Sequence, residues 1–331
     1  MKKFLMFVLL VSVLIFCNPI TVLEIKFDWA KESNKAGQAS SDLSQSVLYV
    51  SKNPNYLKIM TLNNNLYITD MNQNLDLKEY REVSVEPSET KVLVNKNTPL
   101  DKNNMNVDLV DIDSNKITLE NPGLKLDSST AKALYSMVDS AQRDGVNGFV
   151  LNSAYRSEAS QKEIFNYNLS VFKKSSKTYT EALKKTRLLV AAPGFSEHQT
   201  GLAVDLFSVK GRHRSDFEGT KEQMWLNSNA YKYGFILRYG SNKTAATGAT
   251  YEPWHFRYTG IPLSVYLFSK DLCLEEFYQK IFSGNILVGN DCLFMKVDQS
   301  QRVYWSGNTN TSIILEPVKK DVFLLTVKYQ R

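Results

Sequence analysis

His198 stands in "SEHQTGLAVD", residues 196–205, seven residues ahead of Asp205, and His255 follows in "YEPWHFRY", residues 251–258. The chain holds only three histidines, so two of them in short motifs with acids close by form a pattern with chemical content. Imidazole nitrogen and carboxylate oxygen bind zinc, and a catalytic zinc takes three protein ligands while keeping one position open. His198, Asp205 and His255 meet that requirement. Related divalent ions accept the same donors, so the set suits zinc without singling it out. Glu252 lies three residues before His255, and a water activated beside a metal needs a base within hydrogen-bond reach. Taken singly, His198 reads as a core histidine satisfied by a hydrogen bond and Asp205 as a turn-capping acid; Glu252 and His255 change that balance. Arg156, at the end of "GFVLNSAYRS", completes the candidates, because a planar five-donor guanidinium can bind a carboxylate or stabilise an oxyanion. The third histidine, His213 in "KGRHRSD", sits among charges and reads as a solvated surface residue.

Particular elements must hold these groups. Gly201 permits a sharp turn between His198 and "LAVDL", a buried strand on which an uncompensated carboxylate is costly. Pro253 interrupts any regular ladder or helix just before His255. "GFVLNSAYRS" reads as a buried strand whose polar end delivers Tyr155, Arg156 and Ser157. "LDSSTAKALYSMVDSAQRDGV" reads as an amphipathic helix capped at Asp127 or Ser128, with Ala131, Leu134, Met137, Val138 and Ala141 facing inward and Gly145 as its stop. "EASQKEIFNYNLSVFKK" and "TYTEALKKTRLLVAAPG" read as two further helices. Helices and strands segregate instead of alternating, which predicts an α+β fold: a central antiparallel sheet with helices packed around a metal cleft, plus small all-β appendages.

At 331 residues and 43% hydrophobic content, the chain can bury more than one core. Lys2 and Lys3 precede an apolar run from Phe4 to Leu23, long enough to cross a bilayer, and "LIFCNPI" offers no small-residue cleavage site. The expectation is an uncleaved membrane anchor over residues 1–25, with everything after it outside the cell. Residues 26–46 then read as a polar tether, 47–90 as a small β-rich region with Asn-rich turns, 91–282 as the main domain and 283–331 as a C-terminal β module. An extracytoplasmic setting would permit Cys273 and Cys292 to pair; two free thiols are the alternative. The net charge of +6 is spread along the chain without a dense basic block, which argues against nucleic acid as a partner.

"YRSEASQ", "PGFSEHQTGLAVD" and "YEPWHFRYTG", in that order, resemble the zinc D-alanyl-D-alanine carboxypeptidases of the VanY type over about residues 91–282. The resemblance implies that His198, Asp205 and His255 ligate Zn2+, that Glu252 is the general base and proton donor to the departing amine, and that Arg156 stabilises the oxyanion or positions the substrate. It also implies that Ser196, Ser157 and Gln161 hold the substrate's terminal groups; Tyr155 and Trp254, in the same motifs, are counted with them. The implied substrate is the stem pentapeptide of peptidoglycan or its lipid-linked precursor, from which the last D-alanine is released. Losing that residue removes a target of glycopeptide antibiotics. Two alternatives are an L,D-carboxypeptidase acting on tetrapeptides and a non-catalytic wall-binding protein, which would be expected to lack Glu252.

Overall fold

A computed structural model describes residues 46–52, 55–69, 77–86, 91–101, 107–211, 214–307 and 311–329. The anchor at 1–25, the tether except Ser46, and His213 lie outside those residues. Among the described residues no helix is long and apolar enough to cross a membrane. The chain divides into two compact units: residues up to Glu82 join a short segment beginning at Arg302, and the remainder from Val83 onward forms the other.

In the first unit, strands Ser46–Lys52, Asn55–Leu62 and Asn65–Thr69 run antiparallel in sequence order. Asn63 and Asn64 take positive φ, 49° and 65°, the conformation that a two-residue hairpin turn requires and that asparagine tolerates. Strand Val303–Ser306 then pairs in parallel with Asn65–Thr69, and Arg81–Glu82 closes the other side. Residues 283–331, expected as one module, are therefore divided, because this strand completes a sheet begun by the N-terminal region.

The second unit is α+β and carries the motifs. Its central sheet has the order Phe235–Leu237, His255–Tyr258, Ala203–Ser208, Phe149–Ser153, Thr118–Leu119; the pairs are antiparallel except the last, which is parallel. Every residue of Ala203–Ser208 is buried, as a central strand covered on both faces should be. Helix Ser128–Arg143 packs there through Ala131, Leu134, Met137, Val138 and Ala141, the five positions expected, and Asp127 supplies the cap by accepting from the backbone N–H groups of Ser129 and Thr130. Helices Glu158–Lys174 and Tyr179–Leu189 pair over a small cluster of their own, Phe165, Leu169 and Ala182. The remaining C-terminal strands form a four-stranded sheet, Leu287–Val288, Cys292–Asp298, Val322–Tyr329, Thr311–Lys319. One face of that sheet needs a partner, and helices Leu263–Lys270 and Leu274–Phe282 provide it: Phe294, Val318 and Leu324 share a core with Leu267, Phe277 and Ile281. Cys273 and Cys292 are both buried, and no disulfide joins them.

Candidate metal centre and active site

His198 belongs to a 3₁₀ turn, Glu197–Thr200, closed by Gly201 at φ 72°. A Cβ on Gly201 would lie 2.9 Å from the backbone nitrogen of Asp127, so only glycine fits where this turn enters the central strand. Four residues on, that strand presents Asp205; His255 opens the neighbouring strand directly opposite it in register. One turn and one ladder rung thus bring three residues from two distant motifs together. Their ligand atoms all lie within 4.8 Å of one another, and all three residues are buried.

The hydrogen bonds fix the protonation of His198. Its Nδ1 faces the carbonyl oxygen of Ala154 at 2.7 Å, an atom that can only accept, so the proton sits on Nδ1. Burial and the charge of Arg156 push His198 down to about 4, which keeps it neutral at pH 7. Its Nε2 then turns a bare lone pair toward Oδ2 of Asp205 at 3.3 Å. Two acceptors face each other there, an arrangement that a cation between them would relieve. His255 differs. Burial disfavours its charge, but contacts with Asp205 and Glu197 prevail and raise it to about 9. Its Nδ1 donates to Oδ1 of Asp205 at 2.9 Å. Burial likewise disfavours the Asp205 carboxylate, yet the charge and the hydrogen bond of His255 hold its pKa well below the usual range. The residues present fit a metal: two nitrogens and one carboxylate, buried and convergent, match the donors of a catalytic zinc.

Glu252 and Arg156 flank this cluster. Glu252 Oε2 lies 3.9 Å from His255 Nδ1, the nitrogen that faces Asp205. Arg156 is held on three sides: its Nε donates to Ser153 Oγ at 2.9 Å, one terminal nitrogen to Gln161 Oε1 at 3.1 Å and the other to Asp205 Oδ2 at 3.1 Å. Its backbone N–H donates to the carbonyl of His198. The other expected residues fall in different places. Gln161 is fully buried, and its amide is used by Arg156 on one side and the Ala191 carbonyl on the other, so it braces Arg156. Ser157 is exposed and caps helix Glu158–Lys174 by accepting from the backbone N–H of Ser160. Ser196 is buried beside the turn without making a side-chain cap, and Tyr155 is half-buried next to Arg156. Trp254, expected at the substrate, stands in the core with its ring stacked on Phe207 at 5.8 Å; the large apolar ring is better covered there than in a cleft.

Sequence reading missed the layer behind His255. Glu197 is 2% exposed, and its Oε1 accepts from Arg238 Nε at 2.8 Å and from Arg257 at 2.9 Å, two arginines with no exposed surface. Its Oε2 faces His255 Nε2 at 3.5 Å. Arg238 continues to Glu275 through two further bonds, 2.8 and 2.6 Å. The available signal was a charged residue within two positions of each of two ligands or at the end of an apolar strand: Glu197 beside His198, Arg257 two residues after His255 in "HFRY", Arg238 in "FILRY".

The family model described as D-alanyl-D-alanine carboxypeptidase, VanY, matches residues 123–261, a span that contains the whole cluster. A D-alanyl-D-alanine carboxypeptidase of Enterococcus faecalis is 39% identical over 155 residues, which are 47% of this chain and 56% of that protein. The chain therefore spans about half the length of that relative. A bifunctional D-Ala-D-Ala dipeptidase and D-Ala-D-Ala carboxypeptidase, VanXYC of Enterococcus gallinarum, is 33% identical over 191 residues, 56% of this chain and 92% of that protein. Among solved structures, the LdcB LD-carboxypeptidase, described in terms of peptidoglycan recognition, aligns with a TM-score of 0.52 at 34% identity, over 62% of this chain and 97% of that one.

Proposed function

This chain belongs to the VanY family of D-alanyl-D-alanine carboxypeptidases, and from that premise we propose that it is a zinc-dependent carboxypeptidase that hydrolyses the terminal D-alanine from peptidoglycan stem pentapeptides or their lipid-linked precursors. One observation carries the reading: His198, Asp205 and His255 converge within 4.8 Å, with Glu252 beside the same nitrogen of His255 that faces Asp205. His198 through Nε2, Asp205 and His255 through Nδ1 would hold the metal, whose chemistry is to acidify water and polarise the scissile carbonyl. The residues do the rest. Glu252 takes the proton from the attacking water and returns it to the departing amine of D-alanine. Arg156, fixed by Ser153 and Gln161 and reaching the edge of the cluster at Asp205, offers its guanidinium to the oxygen that gains charge during attack. Burial strengthens each of these interactions by keeping water from the groups that make them.

The substrate lies outside the cytoplasm, and the sequence before the tether supports that placement: Lys2 and Lys3 ahead of the apolar run Phe4–Leu23 suit a single anchor with the catalytic domain extracytoplasmic. A second reading, cleavage of the fourth-position D-alanine from tetrapeptides, is favoured by the likeness to the LdcB LD-carboxypeptidase. The test measures D-alanine release from peptides ending L-Lys-D-Ala-D-Ala and L-Lys-D-Ala, with zinc, after chelation and with Glu252→Gln. Release from the longer peptide that needs metal, and falls about 10²–10⁴-fold in a variant that still binds zinc, is expected. Preference for the shorter peptide would move the assignment to the second reading. A zinc-loaded protein that cleaves neither would refute the peptidase.

A further inference from the structure

We infer that Glu197 is a positioning residue that makes His255 a ligand through Nδ1, by accepting the proton on the opposite ring nitrogen. The inference rests on the reading of His198, Asp205 and His255 as a metal site. A neutral imidazole carries one proton, and the nitrogen that gives its lone pair to a metal cannot keep it. The Nδ1 of His255 faces Asp205 Oδ1 at 2.9 Å and Glu252 Oε2 at 3.9 Å, so that edge belongs to the cluster. The proton must then sit on Nε2, whose facing acceptor is Glu197 Oε2 at 3.5 Å. The contact is long while Asp205 also draws on the ring; with the Nδ1 proton gone, Glu197 becomes the acceptor that decides the ring's orientation. The two ring neighbours meet the imidazole as rings, Tyr239 tilted beside it at 4.9 Å and His198 edge-on at 4.9 Å, and the acceptor placed at Nε2 is Glu197.

Glu197 is also unusually fixed. Its Oε1 accepts from Arg238 and Arg257, Arg238 is bound in turn by Glu275, and Arg257 donates to the carbonyl oxygens of Val92 and Tyr258. Two buried arginines balance two glutamates, so Glu197 cannot swing away from His255 without breaking two buried ion pairs. A residue present only to neutralise arginines would need no oxygen on the imidazole. Acceptors of this kind commonly set ligand orientation, and losing one lowers metal affinity by about 10–100-fold.

The experiment strips the full-length protein of metal and titrates it with zinc and with cobalt(II), against a competing chelator, for wild type, Glu197→Gln and Glu197→Asp. Unfolding curves of the metal-free proteins are recorded alongside. Both folded variants are expected to bind about 10–100-fold more weakly, with altered cobalt absorption bands. The shorter Glu197→Asp should fail to rescue although it keeps the charge. Wild-type affinity in either folded variant, with only the unfolding temperature lowered, would show a purely structural residue and overturn the inference. Nitrogen-15 spectra of histidine-labelled, zinc-loaded wild type give a check that needs no variant. The metal is expected on Nδ1 of His255 and the proton on Nε2, and the reverse overturns the inference. Failure of wild type to bind any metal would remove the metal reading as well. Because none of these readouts is peptide cleavage, an error about the substrate leaves the inference standing.

Discussion

Arg156 shows what a fixed side chain adds at the residue scale. Ser153, Gln161 and Asp205 each take one edge of its planar fork, a geometry that the single-point ammonium of lysine cannot reproduce. Arg156→Lys is expected to lower kcat by about 10²–10³-fold with zinc content unchanged, and a variant as active as wild type would exclude the oxyanion role. Gln161→Leu should lower kcat with little change in KM, because Gln161 touches Arg156 and the Ala191 carbonyl. A large rise in KM would instead return Gln161 to the substrate. The two histidines allow a sharper test. With His198 held near 4 and His255 near 9 in the metal-free protein, uptake at pH 7 must expel about one proton, from His255. Below pH 9 that proton competes with metal, so apparent affinity should rise about tenfold per pH unit and level off above pH 9. Calorimetry in buffers of differing ionisation heat reads the proton directly; no release at pH 7 would contradict the assignment. The ligands were legible because His and Asp in buried surroundings demand an explanation. Glu197 was not, because its meaning depends on Arg238 and Arg257, 41 and 60 residues away.

At the scale of elements, the site is a consequence of register. His255 opposes Asp205 because strand His255–Tyr258 pairs antiparallel with Ala203–Ser208, and a slip of one residue would turn the imidazole to the other face. The sequence showed the strands and the apolar stripe of helix Ser128–Arg143, whose five predicted core positions are all buried. The pairing of strands 50 residues apart was beyond it, since local pattern carries no address. Helix Leu274–Phe282 is tied to the same sheet by charge through Glu275, which bonds Arg238, while Glu276 accepts from the backbone N–H of Cys273 at 2.9 Å and caps the helix's own first turn. Burial disfavours ionised Glu275, but Arg238 prevails and holds it below its ordinary 4.5. A carboxylate whose folded value is depressed contributes stability that is present above the unfolded value and lost as pH falls through the folded one. Glu275→Gln should therefore cost about 3 kcal/mol at pH 7 and make the decline in stability below pH 4.5 shallower, as read by denaturant unfolding at several pH values. An unaltered acid limb would show that Arg238 is satisfied without Glu275.

On the scale of the molecule, the C-terminal strands cannot be treated as a detachable tail. Their strand character was readable from the runs "DCLFMKV" and "DVFLLTV", yet nothing in those runs states which surface they cover. Phe294 meets Phe277 edge-to-face at 5.4 Å, and Leu324 and Val318 lie in the same core, so the sheet closes over the helices that carry Glu275 and, through Arg238, support Glu197. Removing residues 284–331 would strip that face from the helices and also withdraw strand Val303–Ser306 from the first unit's sheet. Such a deletion would confound any assay of the site, because lost activity and lost folding would look alike. Phe294→Ala separates the two. It should cost about 3–5 kcal/mol by opening a cavity beside Phe277 and Tyr266, while zinc affinity and D-alanine release, measured well below the unfolding transition, remain at wild-type levels. The truncated chain, in contrast, should lose cooperative unfolding and metal affinity together. If it kept both, the helices would be stable without the sheet, and the C-terminal strands would be an independent module after all.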